Sequence, residues 1–176
     1  MNNIQKIIIF LIIFLFLIFQ ITLMPYFSLF NVFPNVLLAL ILCLGIIKNN
    51  RAVLLLAMAG GLMLDFFSSL PFGIYTVNFV LLVWLMQLIG RNILKITDLS
   101  GQILLIVIMC FIYSLFNILS VKIFHWLGLS LLSLSFWSSF SKIGLREFIF
   151  NAFLTLITLF FVKKLYGLFA GNQRRA

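Results

Sequence analysis

Six apolar runs follow one another along this chain with only short gaps between them, which leaves it few ways to fold. They cover about residues 4–24, 32–47, 52–68, 72–89, 102–121 and 144–162. A helix needs about 20 apolar residues to cross a hydrocarbon core about 30 Å thick. In lipid the backbone must satisfy its own polar groups, so runs of this kind are expected to be helices. The chain has 176 residues, 65% of them hydrophobic and 9% charged, and a mean hydropathy of +1.29. A water-soluble domain of that size could not hide so much apolar surface. No gap is long and polar enough to build an aqueous domain. The expected class is therefore all-α. The chain reads as one polytopic membrane domain over residues 1–176, a bundle of six transmembrane helices.

The second and third runs are short and read as a tight hairpin turning at Lys48-Asn49-Asn50-Arg51. The first run follows Lys6 as a signal peptide would, but it is long and no small-residue cleavage site follows, so a retained span is expected. Between helices five and six, the stretch 126–141 reads as an additional interfacial helix. Trp126, Leu129, Leu132, Phe136, Trp137 and Phe140 gather on one side at helical period, and Ser130, Ser135, Ser138 and Ser141 gather on the other, with Ser133 falling on the wrong face.

The net charge of +9 comes from 12 Lys and Arg against Asp65, Asp98 and Glu147. The basic residues sit in the short gaps, with no basic stripe that would suit nucleic acid. Topology and anionic lipid headgroups account for them better. With the N-terminus inside, nine of the basic residues fall on the inner side and Lys122, Lys142 and Arg146 on the outer. That bias places both termini in the cytoplasm of a bacterial inner membrane. Cys43 and Cys110 lie among aliphatic residues, without metal-ligand or disulfide spacing.

Within these runs the stretch Gly60–Gly73, GGLMLDFFSSLPFG, stands apart because Asp65 places a carboxylate in an apolar segment. Asp65 is 14 residues beyond Arg51, or roughly 21 Å along a helix, close to the turn at Ser68-Ser69-Leu70-Pro71. A helix C-terminus disfavours an anion. The nearest compensation is the start of the fourth helix, around Phe72–Thr76, whose free N–H groups attract one. Two roles are open to Asp65: capping the turn and fixing the hairpin, or binding a substrate, ion or partner. Ala57 and Gly61 form a small-xxx-small pair suited to close helix approach within the bundle. Pro34-Asn35 starts the second helix, with the proline in its first turn.

Arg146 and Glu147 open the sixth helix, with Asn151 one turn on from Glu147. They read either as an interfacial charge pair beside an inward amide, or as a group in which Arg146 or Asn151 reaches Asp65 across the bundle. Asn78, Gln87 and Asn117 read as interhelical hydrogen-bonding amides. His125 stands alone. No nucleophile with a base, phosphate loop or metal constellation emerges, and Asp65 is the only aspartate within a run, so neither an enzyme nor a cofactor is expected.

The order and spacing of several landmarks resemble the MreD family of bacterial rod-shape-determining membrane proteins. They are Gln20-Ile21-Thr22-Leu23-Met24-Pro25, then Pro34-Asn35-Val36-Leu37-Leu38, then the basic turn, then Gly61 through Asp65, Ser69, Pro71 and Gly73, and finally Glu147-Phe148-Ile149-Phe150-Asn151-Ala152. Ser69 stands where the family often has glycine, and Asn35 where aspartate is common. The resemblance implies a non-enzymatic subunit of the cell-elongation machinery, which builds peptidoglycan along the lateral wall. Its implied partners are an MreC-like single-span protein, an MreB-like cytoskeletal filament, and the RodA and penicillin-binding synthase complex.

The family's fold is similar to that of the substrate-binding subunits of energy-coupling-factor vitamin transporters, which supply the alternative function. Two features weigh against the alternative. The run Ile7–Met24 has no alanine or glycine for a docking face, and the outer side looks short of polar groups beyond Asp65, Asn78, Arg146 and Asn151.

Overall fold

A computed structural model describes residues 14–27, 33–47, 51–92, 98–128 and 140–173. The described residues are helical and contain no strand. We number the helices α1 (residues 14–22), α2 (Val36–Ile47), α3 (Arg51–Phe67), α4 (Ile74–Asn92), α5 (Leu99–Trp126) and α6 (Leu145–Gln173). A short 3₁₀ turn at Met24–Phe27 follows α1, and a π-helical turn at Phe140–Gly144 leads into α6.

The core is one cluster to which all six helices contribute, from Leu17 on α1 through Leu37 and Ile41 on α2, Ala57 on α3, Phe79 on α4 and Tyr113 on α5 to Leu159 on α6. Helix α2 runs through its centre, packed against α3, α4 and α6. Its residues Val36–Cys43 are all buried, which explains a helix with no polar face. Helix α3 pairs chiefly with α4, α4 with α5, and α5 with α6.

Side chains are distributed unlike those of an aqueous domain. Leu55, Phe66, Trp84, Phe153 and Phe161 are more than half exposed, while Asn35, Asp65, Asn78, Glu147, Asn151 and Thr155 are buried. Among the described residues two segments, Leu99–Trp126 and Ser141–Lys164, are long and apolar enough to cross a membrane.

Several boundaries differ from the expected ones, each for a local reason. The second helix starts at Val36, not near residue 32, because Asn35 acts as its N-cap and Pro34 stands before the cap, outside the first turn. It is 12 residues long, about 18 Å. The fifth helix does not stop near residue 121. It continues through Lys122 to Trp126, which is its last residue and 85% exposed, so Trp126 does not begin a separate interfacial helix. Gly128, at φ +73°, follows the end of α5. Residues 129–139 of the expected interfacial stretch, and Lys48–Asn50 of the basic turn, lie outside the described residues.

Candidate functional site

The polar chemistry of the bundle is concentrated at one end, where α3 finishes and α2, α4 and α6 begin. The turn from α3 to α4 is built first by local rules. At the end of α3 the hydroxyl of Ser68 accepts the Leu70 N–H at 3.1 Å. The Pro71 carbonyl accepts the Ile74 N–H at 3.4 Å. Gly73, at φ +100°, supplies the left-handed residue, a conformation costly for any side chain. Ser69 lies exposed on the turn. Phe66 and Phe72 meet edge to face across the turn, ring centres 5.1 Å apart.

Gly73 is also the N-cap of α4, since its carbonyl accepts the Val77 N–H at 2.9 Å. A glycine has no side chain to satisfy the next N–H groups, and Asp65 takes that part from the preceding helix. Its Oδ1 accepts the Tyr75 N–H at 2.9 Å. Its Oδ2 accepts the Thr76 N–H at 3.0 Å and the Thr76 hydroxyl at 2.5 Å. The carboxylate is only 4% exposed. Its charge therefore rests on the positive end of α4 and not on a basic side chain.

This arrangement requires α3 and α4 to come very close, which Gly61 permits. A Cβ at Gly61 would lie 2.5 Å from the Thr76 Cα and 2.8 Å from its nitrogen. Gly60 faces the other way, toward Leu37 on α2, so the two glycines serve different neighbours.

A second network fixes the start of α2. The Asn35 carboxamide oxygen caps the Leu38 N–H at 2.9 Å, and its Nδ2 donates to the Tyr113 hydroxyl of α5 at 3.1 Å. The Asn35 N–H donates to Asn151 Oδ1 on α6 at 2.7 Å. From α1, Gln20 Nε2 donates to the Pro34 carbonyl at 3.1 Å, and Gln20 Oε1 accepts the Val36 N–H at 2.7 Å. An amide at position 35 both donates and accepts, which an ionised aspartate there could not do.

Asn151 therefore does not reach Asp65: its oxygen is held by the start of α2. Arg146 is exposed while Asp65 is buried and bonded to α4. Nor do Arg146 and Glu147 form a matched pair at the interface, because Glu147 turns inward and is 8% exposed. Its Oε1 accepts the Asn117 Nδ2 of α5 at 2.8 Å. The expected interhelical amide bonds are present at Asn117 and at Asn78, whose oxygen accepts the Ser120 hydroxyl at 2.7 Å.

Between the two networks lies a cavity of about 540 Å³. Gln20, Asn35, Tyr75, Tyr113, Asn117 and Glu147 contribute its polar wall, and Leu64, Phe67, Ile21 and Met24 its apolar wall. This end of the bundle is thus not short of polar groups, contrary to the expectation from sequence. Gln20 and Tyr113 are not recognisable as site residues from the sequence, because an isolated amide or tyrosine in an apolar run gives no periodic signal.

Cys43 and Cys110 are free, fully buried, and both thiols lie against Thr155, 3.6 Å from its carbonyl and 3.8 Å from its hydroxyl respectively. Among the described residues no group of histidine, cysteine and carboxylate side chains is placed to hold a metal. No family model matches the chain, and comparison with curated proteins and with solved structures also gives no match.

Proposed function

We propose that this chain is a non-enzymatic, multi-pass subunit of the bacterial inner membrane, helping to scaffold the machinery that builds the lateral cell wall. In this reading all six helices span the bilayer and both termini are cytoplasmic. Large apolar side chains facing outward around buried polar ones support lipid as the solvent. The observation that carries the scaffold reading is the α3–α4 hairpin. The residues that give the chain its MreD-like pattern, Gly61, Asp65, Pro71 and Gly73, each have a defined part in building it. They make a rigid, charge-neutralised corner and leave no group of theirs free for chemistry. Such a corner suits a surface that positions partners: an MreC-like protein, an MreB-like filament, and the RodA and penicillin-binding synthase pair.

The test is co-purification of the chain with an MreC-like protein in mild detergent, together with a clean deletion in a rod-shaped host. The expected result is a stable complex and rounded cells. Normal rods in a strain with no second copy overturn the reading.

The cavity favours a second reading, a substrate-binding subunit of an energy-coupling-factor-type transporter. It requires co-purification with a transporter ATPase module, and flanking transporter genes in place of cell-shape genes.

A further inference from the structure

We propose that the cavity bounded by α1, α3, α5 and α6 binds a primary ammonium group carried on a small or lipid-borne organic molecule. The inference rests on which hydrogen-bonding groups are still unused at its wall.

The N–H donors there are committed, and the hydroxyls of Tyr75, Tyr113 and Ser69, which can accept as well as donate, are further polar groups at the wall. The N–H groups at the start of α4 are taken by Asp65. Those at the start of α2 are taken by Asn35, Gln20 and Asn151. Asn117 Nδ2 is taken by Glu147 Oε1, and that bond fixes which way the Asn117 amide faces. Two buried acceptors at the wall are left, Glu147 Oε2 and Asn117 Oδ1, neither with a partner among the described residues. They belong to the one Glu–Asn pair that joins α5 to α6, and both residues line the cavity. The unpartnered Nδ2 of Asn151 belongs to a residue outside the lining.

A buried carboxylate oxygen without a donor is costly, and Glu147 is more than nine-tenths buried. Its place in the first turn of α6 offers it the helix dipole but no N–H bond to Oε2. Among the described residues no Lys or Arg lines the cavity to act as its counter-ion. The complementary guest therefore brings a positive charge and at least two N–H donors, which a primary ammonium supplies. Tyr75 and Tyr113 add aromatic rings to the lining, side chains that can attract a cation. Ile21, Met24, Leu64 and Phe67 suit an uncharged organic body. An anionic guest would meet a carboxylate and no cation. At about 540 Å³ the space is in the range of small-molecule sites, far larger than a bare metal ion needs.

The site does not depend on the scaffold reading, since a shape-machinery subunit and a solute binder could equally hold it. Two sources share this chemistry: a soluble amine, and the headgroup of an ethanolamine phospholipid. Thermal unfolding of the full-length protein in detergent distinguishes them when ethanolamine or phenethylamine is titrated at constant ionic strength. Parallel samples in nanodiscs of phosphatidylethanolamine or of phosphatidylglycerol alone supply the lipid arm. A saturable rise in Tm with the free amines identifies a solute site. A rise confined to phosphatidylethanolamine discs identifies a lipid site.

In either case Glu147→Gln weakens the effect at least about tenfold, and Arg146→Ala, an exposed neighbour, leaves it unchanged. Tetramethylammonium, which has no N–H, gives no rise. If Glu147→Gln does not fold, native mass spectrometry of the wild-type protein is read instead. Retention of the amine or the ethanolamine lipid over phosphatidylglycerol supports the site. No rise or retention with any primary amine or ethanolamine lipid overturns the proposal, and so does an equal effect from tetramethylammonium or undiminished binding in Glu147→Gln.

Discussion

Gly61 and Asp65, one helical turn apart on α3, act on the same residue of α4. Gly61 leaves no Cβ between the helices, so the Thr76 backbone comes close enough that an added methyl would lie 2.5 Å from its Cα. Asp65 then takes the Thr76 N–H and hydroxyl. Close approach and charge neutralisation are thus one structural device, because a carboxylate can reach helix-terminal N–H groups only if the helices touch.

Gly61→Ala is expected to destabilise the protein by about 1–3 kcal/mol, since the obstructing atoms are backbone and cannot rotate away. Its effect is expected to be non-additive with Asp65→Ala, because pushing α4 away already weakens the bonds that Asp65 makes. Thermal melts of the two single variants and the double variant in one detergent give the coupling. Strict additivity would separate the two roles.

Asp65→Ala leaves the part-buried Tyr75 and Thr76 N–H groups without their acceptor and is expected to cost about 1–3 kcal/mol in all. Asp65→Asn keeps one acceptor oxygen but turns an NH₂ toward a donor, so it too lowers Tm. Asp98→Asn, at an exposed residue before α5 whose side chain makes no capping bond, is expected to change Tm far less. Equal losses from Asp65→Asn and Asp98→Asn would remove the special standing of Asp65.

Asn35 and Tyr113 offer a second cycle. Tyr113→Phe removes the acceptor of Asn35 Nδ2 and is expected to cost about 1 kcal/mol. Asn35→Ala removes both that donor and the cap on Leu38, and is expected to cost about 2 kcal/mol. A Tyr113→Phe loss as large as that of Asn35→Ala, by chemical denaturation in micelles, would show that the cap itself contributes little.

Membrane disposition is testable with the native thiols as a silent background. Cys43 and Cys110 are fully buried, so maleimide should not label the folded protein. Ser69→Cys, exposed at the α3–α4 turn, is expected to be labelled by an impermeant reagent added outside intact cells. Arg51→Cys is expected to react only after the membrane is permeabilised. Reversed labelling would invert the topology drawn from the positive residues.

The sequence made the α3–α4 corner legible because an acidic residue in an apolar run needs an explanation and a helix start lay close by. Gly61 was legible as a small residue, though not as one pressed on Thr76. The inward turn of Glu147 was hidden, because a charged residue beside Arg146 at a helix start reads equally well as surface. Gln20 and Tyr113 were hidden because their worth lies in partners far along the chain, which spacing does not encode. The short α2 follows from the work Asn35 does as a cap, which consumes residues that hydropathy alone assigns to the span.

The bond between the Asn35 N–H and Asn151 joins residues 116 positions apart. A chain emerging from the ribosome has α2 long before it has α6. Until the last helix arrives, the start of α2 lacks this acceptor, and Thr155, on which both thiols rest, is also missing. Truncated chains that end before residue 145 should therefore be open at their centre and favoured by quality-control proteases, and the closing step of biogenesis falls to the final helix.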